Sequence, residues 1–381
     1  MKITLNHTKL SKALQYTSRA VNSKPNIPIL SNVLLEVNKT DLKLSATNLD
    51  MGINMWIPGG VEMEGKTTVS AKYISDFVNA SITDKVDIEL KETVLNVKTS
   101  KSKATFATIP SQEFPVLPQV NLNPLFSISS KEFIVSMEKV IFACSTDLSA
   151  GKVQQAGVLF EFESDQEIAF IGLDGFRLSK RNAPITGLIK DQLKDQIIVQ
   201  ARYLNEVVKI IQDYPELETM DVFLSDNKSQ IIFKFEGVEI SIRLIEGPYP
   251  EYKKIMPDNF IFSFEVNKLD LEEAIKIINT FARSNLSNKT LLDLNIEQSI
   301  VKLKSNVAEV GENETTIEIF NSQGANDLNA AYNLRYIQDV VSHIKGELIK
   351  FETKGPLSPS VFKDKSDDKF IHILMPLRRD I

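Results

Sequence analysis

Three histidines, His7, His343 and His372, and one cysteine, Cys144, are the residues of this chain best suited to metal binding or nucleophilic attack. None of the histidines has a partner at metal-site spacing, and a single cysteine builds neither a zinc cluster nor an intrachain disulfide. No glycine-rich phosphate loop, G-x-S-x-G elbow or C-x-x-C pair occurs. Acid pairs such as Asp367-Asp368 fall in a polar stretch that reads as a solvated loop. Cys144 sits in the apolar run VIFACS and reads as a small core residue, with a nucleophile as the competing reading. No catalytic constellation, metal or cofactor is expected. An enzyme whose site escapes motif reading, around Asp174, stands as an alternative.

The chemistry that does recur is cationic. The octets AKYISDFV (71–78), ARYLNEVV (201–208) and LRYIQDVV (334–341) share a base, Tyr, an apolar pair and an acid, at spacings of 130 and 133 residues. Tyr73, Ile74, Phe77 and Val78, with their counterparts, are spaced to form one packed helix face. The bases Lys72, Arg202 and Arg335 fall where each helix starts, against a macrodipole term of about 0.3–1 kcal/mol. A helix start also offers free N–H groups to anions. Two readings stand: solvated bases, or contacts to a phosphate backbone joined by Lys9, Lys131 and Lys268.

The elements that carry these bases repeat too. TKLSKALQYTSRAV (8–21), SKEFIVSMEKVIFA (130–143) and NKLDLEEAIKIINT (267–280) each open with Thr8, Ser130 or Asn267 as N-cap and continue with apolar residues at helical spacing. VDIELKETVLNVKT (86–99) and IIFKFEGVEISIRL (231–244) read as hairpins, with Val238, Ile240, Ile242 and Leu244 facing one way and Glu239, Ser241 and Arg243 the other. Seven of the fifteen prolines fall in 109–124 and 244–259, so these segments read as stiff joints. The expected fold is α+β: three tandem similar domains, each two helices packed on antiparallel sheet, at 1–124, 125–256 and 257–381.

The length of 381 residues suits two or three domains, and 43% hydrophobic with 25% charged residues is globular composition. No membrane span or signal peptide is read, and the lone cysteine points to a reducing, cytoplasmic setting. With 44 bases against 50 acids the net charge is −6, so any DNA contact must rest on local charge.

Five segments in order resemble the bacterial sliding clamps, the beta subunits of the replicative DNA polymerase III. They are KPNIPILSNVLLEV (24–37), LDGFRLSKR (173–181), LIEGPYPEYKKIMP (244–257), YNLRYIQDVV (332–341) and ILMPLRR (373–379). The resemblance spans the chain. It implies a head-to-tail homodimer closed into a ring, non-catalytic, that encircles double-stranded DNA without reading bases and tethers the polymerase for processive replication. Partners would be the polymerase catalytic subunit, the clamp loader and other proteins carrying a short clamp-binding motif. A triplicated peptide-binding scaffold that encircles nothing is the alternative.

By the same resemblance Lys24, Lys72, Lys152 (in SAGKVQQ, 149–155) and Arg202 approach DNA. A partner-peptide pocket is implied at Leu173, Gly175, Phe176, Arg177, Leu178, Pro250, Lys254 and Ile255. Ser360, Ile373, Leu374, Met375, Pro376, Leu377 and Arg378 complete it, with Asn333 and Tyr336 nearby. For Asp-Gly in LDGF a plain hairpin turn is the competing reading. Leu173 and Phe176 stand where Thr and His are common in the family, which implies a more apolar pocket with a shifted peptide preference. The tail Arg379, Asp380 and Ile381 runs past the usual end and is placed to crowd the pocket mouth. The ring interface maps to Ile82, Ala104, Phe106, Asn285 and Leu286. Ala104 and Asn285 replace larger apolar residues, which implies a weaker dimer.

Overall fold

The computed structural model describes residues 1–21, 26–118, 123–149, 151–189, 196–282, 289–307, 311–324 and 327–378. Six α-helices lie among them: α1 (His7–Thr17), α2 (Ala71–Ala80), α3 (Ser130–Val140), α4 (Ala201–Gln212), α5 (Lys268–Ala282) and α6 (Leu334–His343). Every strand pairing that connects the sheets is antiparallel, so the α+β expectation holds. The helix-strands-helix-strands phrase occurs three times along the chain.

The chain gathers into two compact units. The first holds Met1–Lys131, Ile185–Asp195 and Tyr203–Leu244, and the second holds Glu132–Pro184, Gln196–Arg202 and Ile245–Ile381. The middle third of the chain thus contributes to both. The reason is sheet continuity. In the first unit the strand Met51–Pro58 pairs with Val238–Arg243 in the register Met51↔Ile242 and Ile53↔Ile240, within a 13-stranded sheet. In the second, Arg177–Pro184 pairs with Asp367–Leu374 in the register Arg177↔Leu374 and Ser179↔His372, within a nine-stranded sheet. A four-stranded sheet completes the second unit.

The predicted helix faces are buried where period demands it, with exceptions that packing explains. Leu10, Leu14 and Thr17 of α1, Phe133 and Met137 of α3, and Leu271, Ile275 and Ile278 of α5 are core residues. Asn267 caps α5 as expected, accepting from Leu269 N at 2.9 Å. The cap of α1 is Asn6, two residues before the expected Thr8, accepting from Lys9 N at 3.1 Å. Ser130 is the first residue of α3 rather than its cap, and its hydroxyl donates to the Leu217 carbonyl.

In the octets, Ile74, Val78, Tyr203, Leu204, Val207, Val208, Ile337, Val340 and Val341 are buried. Tyr73 is not; it stands 64% exposed, with the Lys72 ammonium 6.0 Å from its ring centre. Among the outward residues of Val238–Arg243, Ser241 is buried as well. A Cβ on the adjoining Gly52 would lie 2.6 Å from the Leu117 side chain, so the first proline-rich joint lies against this strand pair. Both joints are seated by their aromatics. Phe114 packs with Ile29 and Leu34, and the buried Tyr249 donates its hydroxyl to the Ile171 carbonyl at 3.1 Å.

Candidate peptide-docking site

The turn between the strands Glu167–Leu173 and Arg177–Pro184 is a hairpin turn, as Asp-Gly favours. Gly175 takes φ +88°, a conformation that side-chain-bearing residues resist. The Asp174 carboxylate accepts from Phe176 N at 2.9 Å, Arg177 N at 3.0 Å and Arg177 Nε at 3.0 Å. The turn reading and the site reading are therefore compatible: the turn holds Arg177 in place. The guanidinium also pairs with Asp339 of α6. Its carbon lies 4.4 Å from the Tyr336 ring centre and 5.6 Å from that of Phe142. Burial, with Asp174 nearby, pushes the Tyr336 hydroxyl pKa up.

Behind the arginine, Phe142 stacks on His343 at 4.2 Å and on His372 at 5.4 Å. His372 is fully buried, with Nδ1 at 2.7 Å from the Ser179 hydroxyl. Burial, with Arg177 and His343 close by, holds its pKa well below the usual histidine range, so the ring is neutral. The C-terminal segment crosses this surface, pinned by Met375 N donating to the Phe176 carbonyl at 2.9 Å and Leu377 N to the Ala331 carbonyl at 2.7 Å.

All the expected pocket residues belong to the second unit, but they do not all face outward. Leu173, Leu178, Ser360, Ile373 and Leu374 are buried. The first two and Ile373 join a core cluster with Leu159, Ile171 and Tyr249. The Ser360 hydroxyl is taken by the Tyr332 hydroxyl. These five support the site from beneath and do not line it: Leu173, Leu178 and Ile373 share one face of the sheet, Ser360 and Leu374 share the other, and both faces are covered there. Leu173, expected to make the pocket more apolar, therefore cannot do so from its surface. The outward set is Gly175, Phe176, Lys254, Ile255 and Arg378, exposed, with Arg177, Pro250, Asn333, Tyr336, Met375, Pro376 and Leu377 half-buried. The side chain of Asn333 accepts from Arg335 N at 3.0 Å and so caps α6. Arg379, Asp380 and Ile381 lie outside the described residues.

Asp339, Phe142, His343 and His372 escaped the sequence reading as parts of this site. One signal for Asp339 was present: it is the acid of the third octet. The acid of the second octet, Glu206, likewise holds an arginine, Arg19, at 2.6 Å.

The expected DNA-facing bases occupy helix starts and a loop. Lys72 and Arg202 are the second residues of α2 and α4, both exposed. Arg202 Nε donates to the Gln200 side chain at 2.7 Å. Lys152 is exposed and lies 3.6 Å from Asp147. Lys24 lies outside the described residues. Of the accessory bases, Lys268 is committed elsewhere, to the Ile344 carbonyl at 2.6 Å and to Glu272. Of the expected interface residues, Ile82 is 96% exposed and Ala104 and Phe106 are half-buried, while Asn285 and Leu286 lie outside the described residues.

Cys144 is buried, and burial followed by the nearby Asp174 pushes its thiol up to about 12, which removes it as a nucleophile at neutral pH. Asp367 corrects the solvated-loop reading: its carboxylate lies 3.1 Å from Lys139 and 3.0 Å from Arg181. Among the described residues no cluster of His, Cys, Asp or Glu is arranged to hold a metal ion, and no helix is long and apolar enough to cross a membrane.

Family models for the DNA polymerase III beta subunit match the chain in sequence: the N-terminal domain over 1–118, the central domain over 127–251 and the C-terminal domain over 253–378. A beta sliding clamp of Rickettsia bellii is 26% identical over 385 residues, covering 99% of this chain and 100% of that protein. The crystal structure of the DNA polymerase sliding clamp from Bacillus subtilis superposes with a TM-score of 0.92 at 23% identity, covering 100% of both chains. The sliding clamp of Pseudomonas aeruginosa bound to griselimycin gives 0.89 at 22% identity, again over 100% of both. Three domain models in order, over nearly the whole length, place this chain in the family of the DNA polymerase III beta subunit, the beta sliding clamps.

Proposed function

We infer that this protein is a DNA sliding clamp, a non-catalytic processivity subunit that encircles duplex DNA and tethers the replicative polymerase. The observation that carries the ring is the inventory of strand edges. Two sheet junctions are made within the chain, each joining the last strand of a hairpin to a strand that follows a positive-φ turn, at Leu49 (φ +76°) and Gly175 (φ +88°). The parts of a third junction are present and unjoined among the described residues. The hairpin strand Lys103–Ile109 meets Gly65–Ser70 only at Thr108 and Ile109. The strand Gly311–Glu318, opening at Gly311 (φ +120°), pairs on one side only. Open edges of this kind favour pairing with another chain. A second copy supplies the missing strand to each, which gives a head-to-tail homodimer whose interface includes Ile82, Ala104, Phe106, Asn285 and Leu286.

In such a ring Lys24, Lys72, Lys152 and Arg202 act on DNA through phosphates, a sequence-independent and salt-sensitive attraction suited to sliding. The surface around Arg177 and Met375 takes short linear motifs of the polymerase, the clamp loader and other partners. Half-buried Met375, Pro376 and Leu377 beside polar rim groups fit that role.

The test is topological. Protein loaded on nicked circular DNA is expected to stay bound through gel filtration and to be lost when the circle is linearised. Retention that ignores linearisation would leave the scaffold reading in its place.

A further inference from the structure

We propose that the first compact unit carries a small-molecule site, on the sheet face under its proline-rich joint, whose shape and charge suit a nucleoside polyphosphate. The site stands apart from the docking surface and does not depend on the clamp reading.

A groove of about 520 Å³ opens there, within the range of ligand pockets, roughly 300–1,000 Å³. Its lining residues all belong to the first unit. Strand register sets its floor in two rows. One runs Trp56, Lys43, Glu36, Lys66 across four strands, and the next runs Glu239, Asn54, Ser45, Leu34. Segment 114–118 of the joint forms a wall. That wall is preformed, because proline stiffens it and Phe114 is seated against Ile29 and Leu34.

Three features of the floor converge on one kind of ligand. Trp56 is half-buried and supplies a ring face, and every nucleobase has a π-face to set against one. Asn54 is 6% exposed; its Oδ1 accepts from the Ser45 hydroxyl at 2.7 Å, while its Nδ2 donates to no described residue. That amide lies two residues from Trp56 on the same strand face, about 7 Å along, and can donate to a ring nitrogen or carbonyl. Lys66 is exposed and forms no ion pair with a described residue. Lys43 is held only loosely, 3.7 Å from Glu36 and 5.4 Å from the Trp56 ring centre. The strands of Trp56 and Lys66 lie three spacings apart, about 14 Å, so a base on the ring extends its phosphates along the two lysines. A lone phosphate would leave the ring and the amide unused. An apolar ligand would bury the Asn54 amide unpaired.

Trp56 is the only tryptophan of the chain, so its fluorescence reads this groove alone. The full-length protein is titrated with ATP, GTP, their nucleosides, inorganic tripolyphosphate and an octapeptide of alternating Glu and Pro, with free tryptophanamide correcting for absorbance. Saturable quenching is expected with ATP or GTP. The matching nucleoside should need roughly tenfold more, and Lys66→Glu and Asn54→Asp should each weaken the nucleotide by roughly tenfold. Because Lys66 is exposed, Lys66→Glu should keep the wild-type melting temperature, so the test stands whether or not Asn54→Asp folds. No quenching by either nucleotide up to about 1 mM would overturn the proposal. So would a nucleotide affinity unchanged in Lys66→Glu. Equal quenching by tripolyphosphate would make the site one for a bare anion, and quenching by the peptide in place of the nucleotides would make it a peptide groove; either result overturns the assignment.

Discussion

Lys139 carries its ammonium to a place water does not reach: its side chain is 2% exposed, 2.8 Å from Asp364 and 3.1 Å from Asp367. Phe370 lies beneath it at 4.6 Å, and Arg181 ties Asp367 to Glu132 and the Ser136 hydroxyl. Burial alone would push the Asp364 carboxyl up, but hydrogen bonds from Lys139 and Ser366 overcome it and hold the group well below the usual carboxylate range. A depressed carboxyl contributes its stability above the unfolded-state value, about 4, and loses it as pH falls toward the folded value. Lys139→Met should therefore cost roughly 3–5 kcal/mol at pH 7, because Asp364 stays buried without its counter-charge. The gap from wild type should narrow as pH falls toward 3, because the folded variant takes up a proton on its unpaired Asp364 while the folded wild type keeps that carboxylate ionised. Urea unfolding at pH 7 and pH 3 measures this, and a gap that does not change with pH would refute the charge account. Nothing in the sequence announced the cluster. Asp367-Asp368 looked solvated because Asp364 and Lys139 meet only across a separation of 225 residues. The repeated bases Lys72, Arg202 and Arg335, by contrast, were legible as helix-start residues, since that placement depends on neighbours a few residues away.

At the level of elements, local period predicted what local physics decides. The hairpins at Lys85–Lys98 and Gln230–Arg243 and the core faces of α1, α3 and α5 follow from alternation and helical spacing. Tyr73, Ser241 and the inward side chains beneath the docking site depend on which element covers them, and that is a tertiary fact. Close approach is another such fact. Gly172, in the strand Glu167–Leu173, lies so near the end of α3 that a Cβ there would be 2.4 Å from the Val140 carbonyl oxygen and 2.8 Å from Cys144 Sγ. Backbone cannot yield as a side chain does. Gly172→Ala is expected to cost roughly 1–3 kcal/mol or more through overpacking. Gly151, with φ +87° but nothing within 4 Å of its would-be Cβ, supplies the comparison. There alanine meets only the left-handed backbone penalty of about 1–2 kcal/mol and no clash. Chemical denaturation of the two variants ranks them, and equal losses would mean that packing at Gly172 is softer than its geometry implies.

For the whole molecule the question is what occupies the edge of Lys103–Ile109 that, among the described residues, stays unpaired ahead of Thr108. Phe106 is half-buried there, edge-to-face with Phe77 at 5.9 Å, and Ala104 is half-buried on the same side of the strand. Such an edge, with few charges pointing inward, has little to prevent strand addition. Proteins that must stay monomeric usually place charge on such an edge. Phe106→Arg introduces that charge. In a head-to-tail dimer the change is felt at two equivalent contacts. A buried, unpaired cation at roughly 2 kcal/mol each gives roughly a thousandfold weaker dimer. Light scattering at micromolar concentration should then find a mass near 42.8 kDa where the wild type gives twice that value. Retention on nicked circular DNA should disappear together with the dimer. Peptide binding should persist, because Phe176, Arg177 and Met375 belong to the other compact unit. That dissociation of properties is what makes the variant informative. Loss of all three would mean misfolding, and a persistent dimer would remove Phe106 and its edge from the interface. A monomer that kept its hold on circular DNA would sever retention from ring closure.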